Sequence, residues 1–206
     1  MRKRNRKPCL ITGILLFFAI ISGCGSKSGL SVRDYIAWFG KQDCPLAKTQ
    51  EQDGYKYELR YQTADCLALK EIAEDELTNR KLKEELKARN GLYYFLLRIT
   101  PPEGKKQKFL EEESKSISWL SFGAKDDIKL IQGKDTLSCA MNQFEPSMGI
   151  MPYQSFNIGI LKPENEKQDN PNTDIKILFT DKVNSGKQIV FTIKASDFKQ
   201  IPTYKL

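Results

Sequence analysis

The hydrophobic period changes along this chain, and that change constrains the fold more than any other feature. In the first half, apolar residues recur at helical spacing. Val32, Tyr35, Ile36 and Phe39 share one face behind Ser31, a good N-cap, with Gly40 as a stop. Thr63 can cap a second helical stretch carrying Leu69, Ile72, Ala73 and Leu77. A new phase, Leu82 and Leu86, begins after Thr78-Asn79, which predicts one kinked helix or two short ones ending at Asn90-Gly91. The exposed face there is dense in Lys and Glu, as a solvated helix face is. Cys44-Pro45 and Gln52-Asp53-Gly54 read as loop. Residues 55–62 alternate, with Tyr55, Tyr57, Leu59 and Tyr61 on one side, and predict a half-buried strand. Residues 92–99 read as an apolar run and predict a central strand.

After the Pro101-Pro102-Glu103-Gly104 break, residues 105–115 suit either a helix or a loop. Beyond them the pattern is mostly strand. Candidate strands cover residues 116–122, 128–132, 136–144, 153–161, 175–180 and 188–194. Turn signals at Gly133-Lys134-Asp135, Pro146, Pro152 and Asn184-Ser185-Gly186 separate them, the last reading as a hairpin connection. Residues 164–173 are the most polar stretch and predict a protruding loop. Helices early and strands late predict an α+β domain over residues 31–206, with N-terminal helices packed on a mainly antiparallel β-sheet.

The first 23 residues have a different character. Arg2, Lys3, Arg4, Arg6 and Lys7 precede an apolar run over residues 10–21, the pattern of a secretory signal peptide. That run is too short to span a membrane, which takes about 20 apolar residues, and Gly13 interrupts it. It ends in Ile21-Ser22-Gly23-Cys24, which resembles the lipobox of bacterial lipoproteins: an aliphatic residue, two small residues, then cysteine. The resemblance implies lipid transfer to the Cys24 thiol and cleavage before it. Residues 1–23 are then a signal peptide and residues 24–30 a lipidated tether. Gly25-Ser26-Lys27-Ser28-Gly29 suits a flexible tether. Gly25 stands where an aspartate would suggest inner-membrane retention, so the expected address is the outer membrane, facing the periplasm.

Losing that segment also changes the charge argument. The chain has 33 basic and 26 acidic residues, and five basic but no acidic ones lie in the first 23; the remainder carries 28 against 26. The basic pI is largely a property of the leader, and no nucleic-acid partner is expected. Cys44, Cys66 and Cys139 remain, which allows one internal disulfide and one thiol, or three buried thiols acting as small apolar residues.

The chemistry is bounded mainly by exclusion. The chain has no histidine, so Ser-His-Asp and Cys-His catalysis and His-ligated zinc are ruled out. There is no CxxC, Walker A or GxGxxG motif. Asp126-Asp127 with Asp135, and Glu111-Glu112-Glu113, read as solvated acidic residues rather than catalytic pairs. Asp169 to Asp174 is rich in oxygen ligands but lacks the spacing of an EF-hand loop. Trp38, Trp119, Phe122, Phe144, Tyr153 and Phe156 are either core or the lining of a ligand groove. The loop carrying Met148 and Met151 is the candidate partner surface.

The mature part resembles small lipoproteins of Bacteroidota. The resemblance rests on Trp119-Leu120-Ser121-Phe122-Gly123, on Asp135-Thr136-Leu137 leading into Cys139, and on the hairpin over residues 179–191. It implies the lipid at Cys24 and no particular chemistry. The expected function is a non-catalytic envelope module that binds or scaffolds another envelope protein. It would contact the membrane through its N-terminal lipid, with no cofactor, metal or catalytic residue. The alternatives are a periplasmic immunity or inhibitor lipoprotein, and a carboxylate-using envelope hydrolase.

Overall fold

Ser31 does cap the first helix: its Oγ accepts a hydrogen bond from the Asp34 amide at 3.1 Å, and α1 (Val32–Gly40) buries Tyr35 and Phe39. The computed structural model describes residues 29–163 and 171–206. The basic segment, the apolar run, Cys24 and residues 164–170 lie outside the described residues.

Strand β1 (Ala47–Gln52) is followed at once by β2 (Tyr55–Gln62). Their two-residue connection, Asp53-Gly54, has φ of 53° and 81°. Both values are left-handed, as the tight turn matching strand twist requires, and Asp-Gly is a favoured pair for it. Thr63 accepts from the Cys66 amide at 3.0 Å and starts α2 (Ala64–Glu71). Thr78 caps α3 (Asn79–Arg89) in the same way. The helical stretch is therefore two helices, separated by a 3₁₀ turn at Glu74–Glu76. β3 (Leu92–Thr100) and α4 (Lys106–Ser118) follow, so residues 105–115 belong to a helix. β4 (Ile128–Gln132), β5 (Asp135–Glu145), β6 (Gln154–Leu161), β7 (Ile175–Thr180) and β8 (Gln188–Ile193) come next, and a short α5 (Ala195–Phe198) near the C-terminus.

The domain is a mixed α+β fold, but its helices do not all precede its strands. The order begins α1-β1-β2-α2-α3-β3-α4. One cause is β1, whose sequence Ala-Lys-Thr-Gln-Glu-Gln has no apolar face to read. The strand candidate at residues 116–122 is also corrected. α4 runs through Ser118 into a π-helical turn, Trp119–Gly123, and a 3₁₀ turn, Ala124–Asp127. Leu120 and Ala124, four apart, are both fully buried, and this helical spacing outweighs the local aromatic content.

The sheet has eight strands in the order β1-β2-β3-β6-β5-β4-β7-β8, and every neighbouring pair is antiparallel. It is rolled. Phe179 of β7 lies 6.5 Å from the Tyr57 ring of β2, five places away in the order. A flat sheet would hold those strands about 24 Å apart. Phe179 also lies 5.8 Å from Phe156 of β6. The inward side chains of opposite walls meet in one core, closing the sheet almost to a barrel. β1 and β8 do not pair across the seam. Lys48 of β1 bridges it by an ion pair of 2.8 Å to Asp197, at the end of α5.

The helices cover selected parts of this barrel. Arg60, on the outer side of β2, is buried beneath α1 and donates to the carbonyls of Phe39 and Lys41 at its C-terminal end. The Tyr35 and Thr63 hydroxyls are hydrogen-bonded at 3.0 Å. Phe109 of α4 packs 6.3 Å from the Tyr55 ring. Cys44, Cys66 and Cys139 are all free thiols, the first two buried. Among the described residues no helix is long and apolar enough to cross a membrane.

Candidate functional site

On the outer face of β3, β6 and β5 the β5 side chains Met141, Gln143 and Glu145 are exposed, and the loop over residues 146–153 stands at one end of it. The loop exposes Met148, Ile150 and Met151, with Ile150 82% accessible. Apolar side chains this exposed usually sit on mobile tips, but this loop is held. Glu113 of α4 is 5% exposed and reaches into it. Its carboxylate accepts from the Ser147 amide at 3.0 Å and from the Ser147 hydroxyl at 3.1 Å. The Ser147 carbonyl accepts from the amides of Ile150 and Met151, both at 3.0 Å. Met148 has φ of 51° and Gly149 of 72°. A side chain in the left-handed region costs about 1 kcal/mol or more and persists only where the surroundings impose it. The Glu113 clamp is such a surrounding.

This makes Glu113 a correction: of the three consecutive glutamates it is buried and structural, while Glu111 is exposed. Helical spacing puts Phe109 and Glu113 on the same buried side of α4, four apart. Glu113→Ala is expected to lower stability by about 2–3 kcal/mol, by removing two charge-assisted hydrogen bonds at a buried serine. Urea unfolding measures the loss, and limited proteolysis should find new cleavage near Met148. Glu113→Gln, which keeps an acceptor, should lose less. An unchanged midpoint in Glu113→Ala would mean that the loop holds itself.

Beside the loop, Arg98 of β3 stacks its guanidinium over the Tyr153 ring, 4.7 Å from the centroid. Arg98 Nε is buried and has no hydrogen-bond partner among the described residues. Glu145 of β5 is close by but engaged elsewhere: it accepts from Ser155 Oγ at 3.0 Å and Asn157 Nδ2 at 2.8 Å. Strand register makes this cluster. Arg98 pairs with Ser155, and Ser155 with Glu145, so three outward side chains stand in one row across three strands. With Leu96, Pro146 and Met151 they enclose a hollow of about 220 Å³. Asn157 continues into a second hollow of about 300 Å³, bounded by Tyr94, Met141 and Gln143 and flanked by Leu67 of α2 and Arg89 of α3.

The other candidates from sequence scatter. Phe156 is core, and Trp38, Trp119 and Phe144 are half-buried against it. Phe122 is exposed. Only Tyr153 of that aromatic set lines the hollow beside the loop. Asp127 turns to Lys182 at 2.7 Å and to the Trp119 indole at 3.3 Å, while Asp126 and Asp135 are exposed. Asp174 accepts from the Ala195 amide at 2.9 Å. Among the described residues no group of three or more His, Cys, Asp or Glu side chains is placed to hold a metal ion. Arg98 and Glu145 were not singled out from sequence; the only signal was a charged residue inside the apolar run over residues 92–99. The chain matches no family model, no curated protein and no solved structure.

Proposed function

We propose that this chain is a cell-envelope lipoprotein, lipidated at Cys24 and facing the periplasm from the outer membrane, whose domain binds a protein partner. The binding surface is the 146–153 loop and the open face of β3, β6 and β5 beside it. The observation that carries this reading is the pairing of exposure with restraint. Met148 and Ile150 are 75% and 82% accessible, yet their loop is fixed from below by a buried carboxylate. Rigid apolar anchors lose little conformational freedom on binding, which is what a protein interface needs at its centre. The anchor reading is supported by the basic segment, the short apolar run and Ile21-Ser22-Gly23-Cys24 in register.

The test places a photo-crosslinking amino acid at Ile150 of the full chain in its own cells. One discrete envelope protein should be captured, and Met148→Asp should reduce its yield severalfold. Cys24→Ala should block entry of labelled palmitate and remove the adduct, because the domain no longer resides at the membrane. A surface that captures nothing at Ile150 ends the binding reading. Palmitate entering Cys24→Ala ends the anchor reading.

A further inference from the structure

We infer that the Arg98 hollow receives a single carboxylate side chain from the partner, an Asp or Glu with an apolar residue next to it. This rests on the proposal that the 146–153 face binds a protein. At about 220 Å³ the hollow holds one inserted side chain, and the adjoining hollow of about 300 Å³ past Asn157 leaves room for the residue next to it. Charge decides between side chains. Arg98 lines the hollow, offers a planar fork of donors and makes no ion pair among the described residues. A carboxylate matches that fork with charge-assisted hydrogen bonds. The Tyr153 ring already holds the guanidinium plane, so little freedom is left to lose when the acid docks.

Glu145 sharpens the inference. It lines the same hollow, but Ser155 and Asn157 occupy its two oxygens, and it forms no pair with Arg98. Its negative charge opposes an incoming carboxylate. The hollow is thus built to discriminate: the acid must meet Arg98 while avoiding Glu145. Met151 forms part of the wall, and Ile150 precedes it on the exposed side, so an apolar neighbour of the acid meets the loop as the acid enters.

The experiment selects a random dodecapeptide display library on the full lipidated chain in detergent micelles. Enriched peptides should share an Asp or Glu beside Leu, Ile, Met or Phe. A synthetic consensus peptide is then titrated by fluorescence anisotropy. Arg98→Gln should weaken it by about tenfold to a hundredfold, the range of a charge-assisted hydrogen-bonded pair. Glu145→Gln should strengthen it severalfold. Changing the peptide's acid to its amide should cost as much as Arg98→Gln, and the two changes together little more. The amide peptide keeps the test valid should Arg98→Gln fold poorly. The inference is overturned by a library yielding no binders, by a consensus without an acid, by a basic consensus reading Glu145, or by affinity indifferent to Arg98. It is also overturned if the chain self-associates in sedimentation and Arg98→Gln abolishes this, since the occupant is then a second copy. Undiminished crosslinking from Ile150 in Arg98→Gln removes the acid while leaving the binding surface standing. Loss of both results removes both readings.

Discussion

Asp181→Ala is expected to destabilise the folded chain by about 3–5 kcal/mol, the larger of the two main effects expected here. Asp181 is fully buried just beyond β7. One oxygen accepts from the amides of Val183 and Asn184 at 3.0 and 2.9 Å. The other accepts from the Tyr57 hydroxyl at 2.5 Å and the Ser185 amide at 3.3 Å. One carboxylate therefore shapes the β7–β8 connection and ties it across the barrel to β2. Alanine strands these donors, each at about 1–3 kcal/mol where water cannot reach, and Asn184 and Ser185 are open enough to recover part. Asp181→Asn should lose less, and Tyr57→Phe less still. Urea unfolding of the three variants checks the order. A loss below about 1 kcal/mol in Asp181→Ala would show that the turn forms without its carboxylate.

The second large effect is alkaline unfolding. Burial pushes the Cys66 thiol from 9.0 up to about 11, only partly opposed by Lys70. Burial also raises Cys139 to about 11 and moves Cys44 upward. Burial and the neighbouring Asp181 charge raise the Tyr57 phenol well above its usual range, and burial and Asp65 do the same for Tyr204. Each group is neutral when protonated and is harder to ionise in the folded chain than in the unfolded one. Its contribution is therefore complete below the unfolded value, and is lost as pH rises through the folded one. For Cys66 that window is pH 9 to 11, and the loss is about 2–3 kcal/mol. The tyrosines begin to act above pH 10. With no histidine, no side chain of ordinary pKa titrates between pH 6 and 8. The unfolding midpoint should be level there and fall steeply above pH 9, less steeply in Cys66→Ala. A midpoint still level at pH 11 would contradict the burial of Cys66 and Tyr57.

How much of this was legible depends on which force sets each element. Tyr55, Tyr57, Leu59 and Tyr61 all point into the core, because alternation is a direct record of two-sided burial. Ser31, Thr63 and Thr78 cap where a side-chain oxygen can meet a free amide. β1 was illegible because an edge strand needs only backbone pairing to β2, which leaves no side-chain pattern. The 116–122 segment misled because aromatic content imitates a strand, while the burial of Leu120 and Ala124 depends on distant elements. The exposed methionine loop was visible as a loop. The clamp beneath it joins Glu113 to Ser147, 34 residues on, and no local window holds both. The same applies to Arg98, Ser155 and Glu145, which only strand register brings together.

The unpaired seam has a mechanical consequence. A barrel closed by hydrogen bonds all round resists opening everywhere; this one is a scroll with two free margins. The gap is spanned by side-chain contacts, among them the Phe198 ring of α5 at 5.2 Å from Tyr61 and the ion pair of Lys48 with Asp197, partly open to water at 28% and 13% exposure. Such a pair adds at most about 1 kcal/mol. β1 and β8 can therefore move apart without breaking a ladder. β6 and β5 are the two middle strands of the order, with β3 beside β6. A load applied to the open face by a bound partner is carried by the stiffest part of the wall, while the give in the structure stays on the opposite side.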